Sequence, residues 1–369
     1  MMQKRSATFS EWTDQRAPLV FILPAILIIL LLAIFPLIIS LYLSLSRFKF
    51  VKGGFSLKFI GWLNYEKLLV GSQQFHFIGS FGQLTPMEMA AIALVGLLLL
   101  WWLIRYFRQG PVTVPGLLGR LILTAGLLSL TWLVLFVLNQ KGFPGTLVVT
   151  LFYVFFGVLI QFCIGLALAL LCAQRIPARN FFRLVFFLPL MVTPVGIAYT
   201  FRMLVDTTKG PFAPIWEFFG WGAIAWVKDP WAARWVIVLG DSWQWTPFMF
   251  IVLLAALENQ PRDQVEAAIV DGASRWQIFR DITWRAILPV SITVILIRII
   301  EAFKIIDLPN VLTNGGPGIA SESLTLHSFM AWRSLDLGGS AAVAYMLLFV
   351  SVFFSMSFIN FARHRLKTA

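Results

Sequence analysis

Eight apolar segments punctuate this chain, near residues 18–45, 86–104, 117–138, 145–173, 184–204, 234–257, 286–304 and 340–361. Each is long enough to cross a hydrocarbon core about 30 Å thick, which needs roughly 20 helical residues. No water is available there to satisfy backbone groups, so each segment must be helical or belong to a closed barrel. The alternating ten-residue pattern of a membrane barrel is absent, and strands are not expected. Composition agrees: of 369 residues 59% are hydrophobic and 12% charged, too few charges to cover a soluble domain of this size. The expected fold is an all-α polytopic membrane protein of about eight transmembrane helices, forming one domain over residues 1–369.

An even number of spans puts both termini on one side. The clusters Arg175/Arg179/Arg183 and Arg363/Arg365/Lys367 at span ends favour the cytoplasm for that side, because cytoplasmic loops retain Lys and Arg. Arg47, Lys49, Lys52, Lys58 and Lys67 in the first outer loop pull mildly the other way. The formal charge of +12 is therefore read as a topology signal, and nucleic acid is not an expected partner. No cleavable signal peptide is expected, since the first apolar run is too long and lacks a small-residue cleavage site after it. Cys163 and Cys172 share one apolar run and read as packing residues. His76, His327 and His364 are far apart in sequence with no partner cysteines, so no metal is expected. No Gly-x-x-x-x-Gly-Lys-Ser/Thr loop occurs, and this chain is not expected to bind or hydrolyse ATP.

One hydrophilic stretch, residues 258–285, interrupts the apolar pattern on the cytoplasmic side. It reads as two short helices at an angle. Pro261 suits a first helical position and Asp263 a first turn. Asp271-Gly272 ends the first helix, because glycine accepts the left-handed cap conformation. Ser274 with Gln277 resembles a capping box that starts the second. Small residues on one side (Ala267, Ala268, Gly272, Ala273) suit close docking into a groove on another protein; a connector lying on the membrane surface is the other reading.

Glu266-Ala267-Ala268-Ile269-Val270-Asp271-Gly272-Ala273, followed by Phe279-Arg280-Asp281-Ile282-Thr283, resembles the EAA loop of the permease subunits of binding-protein-dependent ABC importers. Phe181 to Pro189, Trp243 with Thr246-Pro247-Phe248, Ala302-Phe303-Lys304 with Asp307, and Leu312 to Gly318 are similar to the carbohydrate-type branch, relatives of the larger maltose-transporter membrane subunit. So are Phe35-Pro36-Leu37, Tyr42 to Ser46, Phe59-Ile60-Gly61 and Asn64-Tyr65. The likeness spans roughly 300 residues. It departs in two places. A Leu-Pro pair usual after the loop is replaced by Trp284-Arg285, so the break before the next span is expected later or softer. Residues 81–142 have no counterpart in the common six-span version and look like an inserted transmembrane hairpin.

The resemblance implies a type I importer transmembrane domain in a bacterial or archaeal cytoplasmic membrane. It implies a second homologous permease, two ATP-binding cassette subunits holding ATP and Mg, an extracytoplasmic solute-binding protein and a sugar or polyol substrate. Glu266, Ala267, Ala268, Asp271, Gly272 and Ala273 would couple to the ATPase. By position in the matched motifs, Gln244, Trp245, Phe248, Arg298, Glu301, Ala302, Ile305 and, more weakly, Leu190 would line the substrate path, with Tyr199 and Thr193 looser candidates. Charged residues within a span cost about 3 kcal/mol each and usually face the bundle interior. Arg298 and Glu301 lie three apart on one helix face, as a sugar-binding patch or an internal ion pair. Trp245 and Phe248 could stack on sugar or simply pack. A phosphorylated polyol or glycerophosphodiester is the alternative cargo. An ion-driven transporter or a membrane-embedded enzyme would call for intramembrane chains or clusters of Asp, Glu and His that are not apparent.

Overall fold

In the computed structural model, residues 21–80, 84–108, 114–138, 143–174, 177–220 and 229–366 are described. The chain begins with helix α1 (Phe21–Ser44), which includes a π-helical stretch at Leu30–Ile34. Strands β1 (Ser46–Val51) and β2 (Gly54–Phe59) follow, then short helices α2 (Leu63–Leu69) and α3 (Gln74–Phe77). Helices α4 (Pro86–Arg108) and α5 (Val114–Leu138) form a hairpin. Next come α6 (Thr146–Ala173), α7 (Arg179–Met191), α8 (Pro194–Leu204), α9 (Ala213–Phe218) and α10 (Pro230–Glu258). The chain closes with α11 (Arg262–Val270), α12 (Arg275–Ala302), α13 (Leu324–Arg333) and α14 (Leu337–Leu366).

Among the described residues, α1, α4, α6, α10, α12 and α14 are each long and apolar enough to cross a membrane, and α7 with α8 makes a seventh span if the bent pair counts as one. Helix α5, 25 residues long, occupies the remaining expected segment. Three local features differ from expectation. The region 184–204 is not one straight span: α7 and α8 meet at 98° across Val192-Thr193. Pro194 is the reason. The residue before a proline is pushed out of the helical region, and Thr193 sits at φ −64°, ψ 144° while its side chain accepts the Gly196 amide. Second, a two-stranded antiparallel hairpin is present, with Ser46 opposite Phe59 and Val51 opposite Gly54. Gly53 (φ +91°) supplies the left-handed turn, and Phe48 stacks on Phe55 at 5.5 Å. Its strands, 6 residues each, follow the end of α1 and are shorter than the roughly 9–11 residues a membrane-spanning strand needs. Third, no break separates the second short helix from the following span. A π turn at Phe279–Thr283 carries it directly into the remainder of α12, and Pro289 lies within that helix. The softer junction expected from Trp284-Arg285 takes this form.

Helices α6 and α10 form the centre of the bundle. Gly165 permits it: a Cβ there would stand 2.6 Å from the Met249 Cβ, so only glycine allows this approach. Around this contact Leu151, Val154, Val158, Met249, Phe250, Leu253, Val294 and Phe303 form one buried apolar cluster. A second joins Phe152, Ile197, Val236, Ile237 and Leu308, tying α8 and the segment after α12 to the same pair. The hairpin α4–α5 stands beside this core. Its ends meet: Gly79 pairs with Pro144, the Ser80 amide donates to the Phe143 carbonyl at 3.0 Å, and the Gly145 amide donates to that of Ile78 at 3.1 Å.

Candidate functional site

Two places hold the site residues expected from the sequence. The first is the element between α10 and α12. The last turn of α11 is closed by two reversed bonds, Gly272 N–H to the Ile269 carbonyl at 3.1 Å and Ala273 N–H to that of Ala268 at 2.9 Å. That is the Schellman pattern, and Gly272 adopts the left-handed φ of +78° it needs. The following turn starts with a full capping box: Ser274 Oγ accepts the Gln277 amide at 3.3 Å, and Gln277 Oε1 accepts the Ser274 amide at 2.8 Å. Both caps were legible in the sequence, and Pro261 sits at the N-cap, one position before that expected. Glu266, Ala267, Asp271 and Gly272 are exposed, with Ala268 and Ala273 half-buried.

Apolar side chains protrude from this element. Val270 is 87% exposed, Trp276 66% and Ile269 59%. Trp276 stacks on Phe279, which leads through Trp284 to Phe162 of α6. At its other root, Glu258 at the end of α10 is held by both Arg179 and Arg183 of α7. The Arg179 Nε also donates to the Cys172 carbonyl at 2.7 Å. The element is thus a firmly rooted, partly apolar projection, and α6, α7, α10 and α12 all feel its position.

The second place lies inside the bundle. Arg298 of α12 is 1% exposed. Its Nε donates to Gln161 Oε1 at 2.7 Å, its Nη2 pairs with Asp241 Oδ2, and its guanidinium lies over the Trp245 ring at 4.7 Å. Gln161 Nε2 donates to the same Asp241 oxygen at 2.8 Å. Gly157 leaves room for that carboxylate, since a Cβ there would come within 3.3 Å of it. Three helices are tied together by one satisfied network, which is the condition for burying a charge in an apolar medium.

This corrects the pairing considered from sequence. Arg298 does not bond Glu301. Glu301 is half-buried and bonds Lys304 at 2.6 Å, one turn along the helix. The partners Asp241 and Gln161 were not identified as site residues, although Asp241 is a charged residue inside an apolar segment and carries the same signal as Arg298. Of the other expected path residues, the structure brings Trp245 to Arg298 and sets Phe248 edge-on to Trp245 at 6.3 Å. Gln244 is buried, 4% exposed. Ala302 belongs to the buried core. Ile305 packs with the α8 and α10 cluster. Leu190 is half-buried two residues before the bend, where Thr193 caps α8, while Tyr199 points outward. Phe248 also lines a cavity of about 320 Å³ with Val252, Pro289, Thr293 and Ile297.

With these features in view, comparison with known proteins is informative. Residues 161–366 match the model of the binding-protein-dependent transport system inner membrane component. The chain belongs to that family, and is therefore a multi-pass membrane subunit of a transport system that works with a binding protein. It is 32% identical over 229 residues to the trehalose/maltose transport system permease protein MalF of Thermococcus litoralis, covering 62% of this chain and 78% of that protein. It is 29% identical over 225 residues to the arabinooligosaccharides transport system permease protein AraP of Bacillus subtilis, covering 59% and 71% respectively. Among solved structures, a bacterial ABC transporter involved in import of the acidic polysaccharide alginate shares the fold, with a TM-score of 0.55, 18% identity, and coverage of 82% of this chain and 96% of that one. The polytopic, mostly helical fold of the type I importer class is the one found, with the β1–β2 hairpin as the departure from an all-α chain.

Proposed function

We propose that this chain forms half of the translocation pathway of an ATP-driven importer for a sugar or polyol, paired with a second homologous permease. A separate ATPase, carrying ATP and Mg, would drive it, and an extracytoplasmic binding protein would deliver the solute. The observation that carries the coupling half of this reading is the projecting α11 element. Its exposed Ile269, Val270 and Trp276 suit a groove on a partner, and its roots reach four spanning helices. Displacing it would rock those helices about the buried centre, as alternating access requires. Glu266, Ala267, Ala268, Asp271, Gly272 and Ala273 would make the docking contacts.

A carbohydrate cargo is supported by relatives named for trehalose/maltose and arabinooligosaccharides. The electrostatics agree. Arg298 is neutralised by Asp241, so this guanidinium is not free to receive an anionic solute, which favours a neutral cargo over a phosphorylated polyol or glycerophosphodiester. Trp245, Phe248 and Gln244 mix aromatic faces with a hydrogen-bonding group, a combination suited to sugars. Ala302, Ile305 and Glu301 would shape the wall and Leu190 its far side, while Arg298 would position Trp245 instead of reading hydroxyls directly.

The test replaces Gly272 with leucine in the assembled transporter. A side chain at φ +78° strains the cap whatever the surrounding space. Loss of ATP-dependent uptake with reduced ATPase co-purification is expected. Unchanged uptake with the ATPase still bound would show that the element does not couple the two.

A further inference from the structure

The fold brings together three ligating side chains that the sequence keeps apart. His76 lies on α3, Glu322 in the segment before α13, and His327 on α13. His76 Nε2 stands 2.8 Å from Glu322 Oε2, and the two imidazoles stack with centroids 3.9 Å apart and planes at 14°. One ligand atom from each of the three lies within 4.8 Å of the others. We propose that His76, Glu322 and His327 form a binding site for a divalent transition-metal ion, Zn2+ being the ion best suited to two imidazoles and a carboxylate.

Four observations support it. Glu322 is 94% buried, with an exposure of 6%, and its Oε1 is buried without a hydrogen-bond partner among the described residues. A carboxylate oxygen left so is costly unless a cation or proton meets it. The ligands stand on fixed backbone. Gly315, at φ +83°, packs against the Glu322 side chain, where its Cβ would fall 3.3 Å from that of Glu322. Tyr153 OH donates to the Ser321 carbonyl at 2.8 Å, and Ser323 Oγ to that of Ile305 at 2.6 Å. His327 also has an orienting partner, Thr146 Oγ1 at 3.2 Å from its Nδ1. A bond of that kind to one ring nitrogen leaves Nε2 for an ion. Finally, the His76 side chain is 34% exposed, giving an ion a route in and leaving room for water at a fourth position. Tetrahedral ligands at Zn–N distances of about 2.0–2.1 Å stand about 3.3 Å apart, so the trio must draw together. His76, the one ligand with a partly exposed side chain, would have to turn out of its stack on His327 for both ring nitrogens to meet one ion.

The site sits at the Thr146 end of α6, about 40 Å along that helix from the Arg179–Glu258 root of the coupling element. A bound ion would clamp α3, the Gly315 turn, α13 and the start of α6 into one unit. The inference is independent of the importer reading, since it needs neither a cargo nor an ATPase.

The test uses the full chain purified without a polyhistidine tag, stripped with chelator and titrated with Zn2+, and with Co2+ for its absorption spectrum. One ion per chain is expected, with a tetrahedral Co2+ spectrum and a thermal midpoint that rises with Zn2+. His76→Gln should weaken binding by at least a hundredfold and abolish that rise while leaving elution behaviour unchanged. Thr146→Val should weaken binding by about 10- to 100-fold. Equal zinc content in the wild type and His76→Gln would overturn the site in favour of a plain His–Glu hydrogen bond.

Discussion

Arg298 shows how a single residue can be costly and necessary at once. Within a bilayer its charge is tolerable because Asp241 and Gln161 meet it on one side and the Trp245 face on another. Removing one partner leaves the other charge buried and alone. Asp241→Leu and Arg298→Leu should each destabilise the protein by about 3 kcal/mol, and the double replacement should recover much of that loss. Thermal unfolding of the three variants in one detergent measures it; additive losses would mean that the pair carries no coupling energy. Gly165 is the opposite kind of residue, needed for what it lacks. Gly165→Ala puts a methyl 2.6 Å from the Met249 Cβ and should cost about 1–3 kcal/mol by overpacking, read in the same unfolding assay.

At the scale of elements, the α11 loop and the hairpin behave differently. The loop is built from local caps, so its weak points are single residues. Ser274→Ala removes the acceptor for the Gln277 amide and should cost about 1 kcal/mol of local helix stability. Faster amide exchange across Arg275–Ile278, with little change in the global midpoint, is the expected reading. The α4–α5 hairpin instead leans on α6 and α14 across an apolar gap of about 730 Å³, lined by Val95, Leu135, Leu151, Phe155, Phe354 and Phe358 among others. It leaves the chain at Ser80 and returns at Phe143, two residues already hydrogen-bonded to each other. We regard 81–142 as an insertion into a six-span core. Excising 84–138 and closing the gap with a short Gly-Ser link should leave uptake and subunit assembly largely intact. Loss of assembly would give the hairpin a structural role in the complex. Residues 81–83, 109–113 and 139–142 lie outside the described residues.

Across the whole molecule, the α11 loop and the His76–His327 region stand at opposite ends of the central helices. The Arg179–Glu258 pair marks one end of α6, and Thr146 with His327 the other. The expected orientation, with both termini cytoplasmic, puts the α11 loop inside and the β1–β2 hairpin outside. Single cysteines at Ser274 and Lys52, in a chain lacking Cys163 and Cys172, should react with a membrane-impermeant thiol reagent from opposite faces of intact cells and inverted vesicles. Labelling of both positions from one face would refute this topology.

Local rules carried much of this protein in its sequence. The lengths of the apolar runs placed most of the long helices to within a few residues, but neither the bend that splits 184–204 nor the start of α12 at Arg275. Gly272 and the Ser274–Gln277 spacing laid out the α11 loop, because a helix cap is settled by residues within four positions of it. Pro194 also held the signal for the bend between α7 and α8, although the unbroken apolar run masked it. Tertiary structure alone decided what distant residues do. The partner of Arg298 is Asp241, 57 positions away, and not Glu301 three positions away. His76 meets Glu322 across 246 positions. A sequence shows that a buried charge or a ligating side chain needs a partner. Which one it finds depends on how the helices pack, since the desolvation cost is met by whatever polar group the fold sets within about 3 Å.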